Sequence, residues 1–298
     1  MTKDELLNKL GIKIQSIRKI KSQTVINNKY IYKKMTRKSD LYDYLLTRGF
    51  NHFPRVYSKV GDEIELMDYI NSKNIPKEQR LEDLVYITSI LHLNTSFDKV
   101  IDIDKIKEIY ETTTNRLEYI KKHYLDKQNE IEEELYMSPS NYLLIRNIST
   151  LYKSIDLSKY YLDKWYTLVK DNTNIRYSFI HGNLKDDNIL EDDNIYLISW
   201  DKSRIDFPII DLEILYKNNY LDINIDNILS IYQKKYKLKE EETFLLFSYL
   251  LIPDVLNNYS SEYLRTKDVS NTVLYFDKTY NLLKNYSKES NNNTNNQY

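Results

Sequence analysis

The 298 residues carry 43 Lys and Arg against 44 Asp and Glu, a net charge of −1, so composition gives no electrostatic case for a nucleic-acid partner or an anionic membrane. There is no cysteine, which excludes a disulfide framework, thiol catalysis and cysteine-ligated zinc, and is compatible with a reducing cytoplasm. The start, Met1 to Leu7, lacks the apolar core of a signal peptide, and no apolar run reaches the ~18 residues of a membrane span, so a soluble, unexported, cytoplasmic protein is expected. The chain is long enough for one two-lobed unit or two modest domains. Tyrosine is abundant, 29 residues, alongside Ile, Asn and Lys. AT-rich codons account for that bias; a tyrosine-rich surface protein that becomes cross-linked is the sharper alternative.

Residues 14–35 alternate as strands do, and Asn27-Asn28 between Thr24-Val25-Ile26 and Tyr30-Ile31-Tyr32 reads as a tight hairpin turn. Lys33 and Lys34 follow; in the plain reading both are solvated strand-end lysines. A helix is expected over Asp40–Thr47, with Leu41, Tyr44 and Leu45 on one apolar face and Asp40 as its N-cap. Leu81–Asn94 has helical spacing, with His92 as a packed residue near its end. Residues 103–171 read as two or three amphipathic helices, and the run Glu130, Glu132, Glu133, Glu134 as a solvated face rather than a cation site. At 179–212 an apolar pair, Phe179-Ile180, feeds a polar loop from His181 to Asn188. Ile189-Leu190 then starts a strand, Glu191–Asn194 turns it, and Ile195–Trp200 is its partner, which places the polar residues at the mouths of a hairpin. Helices are expected at Asp226–Tyr236, Glu240–Asn257 and Asn271–Tyr286, followed by a disordered Asn- and Ser-rich tail, Ser287–Tyr298. No internal repeat is visible.

Residues 181–190, His-Gly-Asn-Leu-Lys-Asp-Asp-Asn-Ile-Leu, together with Ile198-Ser199-Trp200-Asp201 and Pro208-Ile209-Ile210-Asp211-Leu212, resemble the catalytic loop and metal loop of the aminoglycoside phosphotransferase and choline kinase family, including its kinase-like spore-coat relatives. The match is ungapped from these loops through Leu212; the resemblance as a whole covers roughly residues 14–290, strongest at 179–212 and weakest over 100–170. It implies an α+β, two-lobed protein-kinase-like fold: a small β-rich N-lobe over 1–70 with a hinge at 67–70, and a large, mainly helical C-lobe over 71–286. By resemblance Lys33 contacts phosphate, with Lys34 leaving the register open by one. Asp40 stands where a helix glutamate pairs with that lysine, one methylene shorter. Met67, Asp68, Tyr69 and Ile70 form the hinge whose backbone holds an adenine, and Asn188 is a metal ligand. His181 braces the loop, and Asp211 ties it to the next helix. The segment Lys21-Ser22-Gln23-Thr24 has no glycine for a phosphate-covering loop, a form that members of the family often lack.

At two positions the chain departs from the pattern: Asn183 replaces the catalytic Asp and Ser199 the metal-binding Asp. In such enzymes the first orients and deprotonates the acceptor hydroxyl and the second holds magnesium. An amide keeps the shape without a basic oxygen, and a serine hydroxyl lacks the charge magnesium prefers. The expectation is therefore a kinase-fold protein with impaired or absent phosphoryl transfer, ATP and magnesium binding weakened or lost, and a binding or structural role toward a small molecule or protein. One alternative is an active small-molecule phosphotransferase with an unorthodox metal site, in which Asp201, or else Asp186 or Asp187, joins Asn188. Another is a structural protein of spore-coat type.

Overall fold

The computed structural model describes residues 1–20, 23–35, 40–172, 174–222 and 225–295, with side chains over the same ranges apart from 225–226 and 285–295. Lys21 and Ser22 of the glycine-free segment and Asn296 to Tyr298 of the expected tail lie outside the described residues. The chain divides into two compact units. One comprises Met1–Ser96, Ser178–Ile214 and Ile231–Tyr236, and the other Phe97–Tyr177, Leu215–Ser230 and Lys237–Tyr298. The first therefore holds more than the expected N-lobe 1–70: it also takes in the polar loop and hairpin of 179–212.

In the first unit, strands β1 (Ile17–Ile20), β2 (Gln23–Ile26), β3 (Tyr30–Lys34) and β4 (Ile64–Asp68) form an antiparallel sheet in that order. Asn27 and Asn28 both have positive φ, 54° and 49°, and Lys29 N–H donates to the Ile26 carbonyl, so the expected turn is of the kind that matches strand twist. Asn27 does a second job. Its Oδ1 accepts from the Gln15 and Ser16 amides, and its Nδ2 donates to the Lys13 carbonyl, pinning the entry to β1. Helix α1 (Lys3–Lys9), closed at its start by a Thr2/Glu5 capping box, buries Leu6 and Leu7 against Ile26, Ile64 and Leu66 on one face of the sheet. The sequence reading did not anticipate this helix. Alternation in β4 sends Ile64 and Leu66 to that face and Glu65 and Met67 to the other.

Helix α2 (Leu41–Thr47) follows Asp40, which occupies the N-cap position without a side-chain capping bond. Helix α3 (Lys77–Thr95) starts four residues before the expected Leu81, directly after Pro76, and buries Leu81, Leu84, Val85, Ile87, Leu91 and His92. Strands β7 (Ile189–Glu191) and β8 (Ile195–Leu197) form the expected hairpin, and β9 (Arg204–Asp206) pairs antiparallel with Ser178–Ile180.

In the second unit, β5 (Phe97–Val100) pairs with the first half of β6 (Asn174–Ile180). Its helical part comprises α4 (Ile103–Glu132), α5 (Pro139–Val169), α8 (Glu240–Leu251) and α9 (Glu262–Asn295); α6 (Ile209–Asn219) and α7 (Ile225–Gln233) are each divided between the two units, after Ile214 and after Ser230. Small residues let α5 approach α8: Ser154 and Ser158 hydroxyls donate to the Leu251 and Ser248 carbonyls. The expected helix to Asn257 stops at Leu251 because Pro253 removes a backbone donor and disfavours helical geometry at Ile252. Helix α9 begins nine residues before the expected Asn271, where Glu262 accepts from the Ser140 amide and pairs with Arg265. Its helical backbone continues to Asn295, so most of the segment expected as a disordered tail is helical. No described helix is long and apolar enough to cross a membrane.

Candidate functional site

The polar loop after β6 is built around one buried carboxylate. Asp211, in the first turn of α6 and fully buried, accepts from the His181 amide (2.7 Å) and the Gly182 amide (2.8 Å), and is 3.1 Å from His92 Nε2. Burial opposes its ionisation, but the His92 hydrogen bond and charge, with His181, hold the carboxyl below its usual range. His92 in turn lies 2.6 Å from the Tyr232 hydroxyl, so this packed histidine braces the loop rather than facing a ligand. Gly182 has φ +72°, and a Cβ there would sit 2.4 Å from the Lys202 carbonyl oxygen; the turn admits glycine alone. His181 is also buried. Its Nε2 is 2.9 Å from the Ile198 carbonyl, which can only accept, so Nε2 carries the proton, and the ring stands 4.7 Å from that of Trp200. The loop thus grips the residue preceding Ser199.

Burial keeps the His181 imidazole below its ordinary range, against the pull of Asp211, the Ile198 carbonyl and Asp201. Its Nδ1 is buried without a hydrogen-bond partner among the described residues, so protonation would leave a second N–H unsatisfied. The unfolded chain takes up this proton near pH ~6.5 whereas the folded loop refuses it. Stability is then fully present above that pH and falls as pH drops through it; Asp211, also depressed, adds loss of the same sign only below about pH 4. Urea midpoints should decline between pH 7.5 and 5.5, and His181→Gln should flatten the decline. An unchanged midpoint in the parent protein would contradict a neutral His181. His123 on α4, likewise depressed by burial, contributes in the same direction and sets the residual slope.

A cavity of about 380 Å³ opens within the first unit between the sheet, the hinge segment and the hairpin. Its walls include Ile31, Met67, Tyr69, Ile70, Leu190, Leu197 and Ile198, and Lys33 and Ser199 stand on them as well. That size suits a small organic ligand. Lys33, not the exposed Lys34, lines the cavity. Its Nζ lies 3.4 Å from Glu65, directly across the strand pair, and 3.3 Å from Asp201. Asp40 does not line this cavity but a second one of about 480 Å³, with Asp43, Phe53 and Tyr57. The carboxylate beside the lysine is therefore Glu65, whose side chain is 3 % exposed. Sequence reasoning missed it, although a lone acid between Ile64 and Leu66 is the available signal. At the hinge, Asp68 accepts from the Tyr57 hydroxyl at 2.8 Å; burial and this bond push Tyr57 up to about 12, so it stays a donor. Tyr69 receives a hydrogen bond from Arg18.

Ser199 adopts left-handed backbone, φ 65° and ψ 52°, a conformation that Asp and Asn enter more readily than Ser. The chain keeps the geometry suited to an acid and presents a hydroxyl. Asn183 is partly buried, and its carbonyl accepts from the Asn188 side-chain amide at 2.7 Å. Asp186 lies 3.7 Å from Lys77, while Asp187 is exposed. Among the described residues no three His, Asp or Glu groups converge to hold a metal ion. The size and apolar walls of the cavity suit an adenine-sized heterocycle; Asn188 and Ser199 offer neutral oxygens where magnesium prefers charged ones.

No protein-family model matches the sequence, and no curated protein matches it significantly. Solved structures do. An aminoglycoside phosphotransferase from Alicyclobacillus acidocaldarius superposes with TM-score 0.70 over 93 % of this chain and 92 % of its own, at 10 % identity. A glucosamine kinase gives 0.55 at 9 % identity over 91 % and 78 %, and a spectinomycin phosphotransferase in complex with AMP gives 0.53 at 15 % over 94 % and 98 %. At such identities the likeness speaks for the fold. The chain has the α+β, two-lobed protein-kinase-like fold of these small-molecule phosphotransferases.

Proposed function

We propose that this chain binds a nucleotide-type ligand in the cavity that holds Lys33 and Ser199, and that phosphoryl transfer there is impaired or lost. The observation that carries the reading is Ser199: on the wall of the cavity that Lys33 also lines, the backbone suits an acid and the side chain is a hydroxyl. The apolar side chains from Ile31, Met67, Leu190 and Ile198 would enclose a base, and Lys33 would meet a phosphate. Spectinomycin phosphotransferase has been solved with AMP, and with ADP and spectinomycin, which supports a nucleotide as the ligand. Asn183 can orient a hydroxyl but cannot take its proton, and losing a general base costs about 10²- to 10⁴-fold in rate. The role kept is then binding or structural.

Purified protein should be stabilised by adenine nucleotide with or without magnesium, and should consume ATP no faster than buffer. Saturation at a hundredfold above Kd corresponds to about 2.7 kcal/mol, which thermal shift resolves easily. Magnesium-dependent ATP turnover that disappears in Asn188→Ala would overturn the proposal. An active enzyme with an unorthodox metal site is the second reading, favoured by one observation: Asp201 reaches Lys33 and so brings a carboxylate to the cavity. It requires Asp201→Ala to abolish turnover.

A further inference from the structure

Resting on that reading of the cavity, we infer that its ligand carries few phosphates, a nucleoside or nucleoside monophosphate rather than a polyphosphate, because Asp201 acts as a built-in competitor for Lys33. Among the described residues Lys33 is the cation on the cavity wall, and two carboxylates already hold it, Glu65 at 3.4 Å and Asp201 at 3.3 Å. The two differ in kind. Glu65 is 3 % exposed and fixed opposite Lys33 by the β3–β4 register, so it stays. Asp201 is 56 % exposed and sits on a short 3-10 turn, Trp200–Lys202, directly after the left-handed Ser199, so it is the partner a phosphate has to displace.

With Glu65 already countering Lys33, each further phosphate charge enters beside carboxylates. A third anion, Asp68, lines the same cavity. In a metal-assisted site the cation would neutralise this crowding; here Ser199 brings to the cavity wall a neutral hydroxyl where magnesium prefers a charged oxygen. A base enclosed by Ile31, Met67, Tyr69, Leu190 and Ile198 needs none of this rearrangement. Binding should therefore weaken as phosphates are added.

Calorimetric titration of the full chain in EDTA with adenosine, AMP, ADP and ATP tests the order directly. Adenosine is expected to bind at least as tightly as AMP, with ADP and ATP progressively weaker. In Asp201→Asn, ADP affinity should rise by about two- to fivefold, the worth of one exposed charge pair released from competition, while adenosine affinity stays put. ATP binding wild type more tightly than adenosine, or Asp201→Asn weakening ADP, would sink the inference while leaving the cavity a nucleotide site. Absence of binding by all four would instead remove the reading on which it rests. Because Asp201 is exposed, the Asn variant is expected to unfold at the parent's midpoint, which a thermal scan verifies.

Discussion

Asp211→Ala is expected to destabilise the protein by about 3–5 kcal/mol, the range for removing one member of a buried, hydrogen-bonded charge arrangement. The carboxylate is fully buried and serves three donors: the His181 amide, the Gly182 amide and His92. Alanine leaves all three without an acceptor in a site water does not reach, and each orphaned group costs about 1–3 kcal/mol. Asp211→Asn keeps the shape and one acceptor oxygen but turns an NH₂ toward a backbone N–H, so an intermediate loss is expected. Urea denaturation of the three proteins at pH 7.5 measures the series. If the alanine variant came within about 1 kcal/mol of the parent, the loop would have to be held by something other than this carboxylate. The loss should appear in the loop as well: amide exchange at Gly182 and Asn183 should accelerate beyond what the global change explains.

The loop's legibility in the sequence follows from its locality. Between Phe179 and Leu212 the apolar runs, the turn at Glu191–Asn194 and the polar cluster lie within a few residues of one another, so short-range rules suffice to place the hairpin and its mouth. The Asn27-Asn28 turn was readable for the same reason, since both residues enter left-handed backbone cheaply. The partner of Lys33 was not. Glu65 meets it only through the pairing of β3 with β4, a register fixed by tertiary packing, and the helix residue Asp40, nearer in sequence, lines a different cavity. The approach of Asp201 to Lys33 depends on left-handed backbone at Ser199, which serine itself does not announce. Helix ends drifted where a single residue decided them, as Pro253 does for α8 and Glu262 for α9.

Restoring both acids, Asn183→Asp with Ser199→Asp, is expected to raise magnesium-dependent ATP turnover about 10²- to 10⁴-fold over the parent, equivalent to about 3–5 kcal/mol of barrier. The backbone is already receptive. Position 199 holds left-handed geometry that Asp tolerates well, and it stands on the wall of the cavity that Lys33 also lines. A new carboxylate there adds to Glu65 and Asp68 on the same cavity wall, so without metal the double variant should be less stable than the parent. Magnesium should reverse that loss, giving a thermal shift that the parent does not show and that is independent of activity. Each single change should achieve far less, because a base without bound metal and a metal without a base leave the other half of the barrier in place. A double variant that binds magnesium yet turns over ATP no faster than the parent would mean that these two positions are not what limits transfer. The cause would then lie in the grip of Glu65 and Asp201 on Lys33, which Asp201→Asn in the same background would expose.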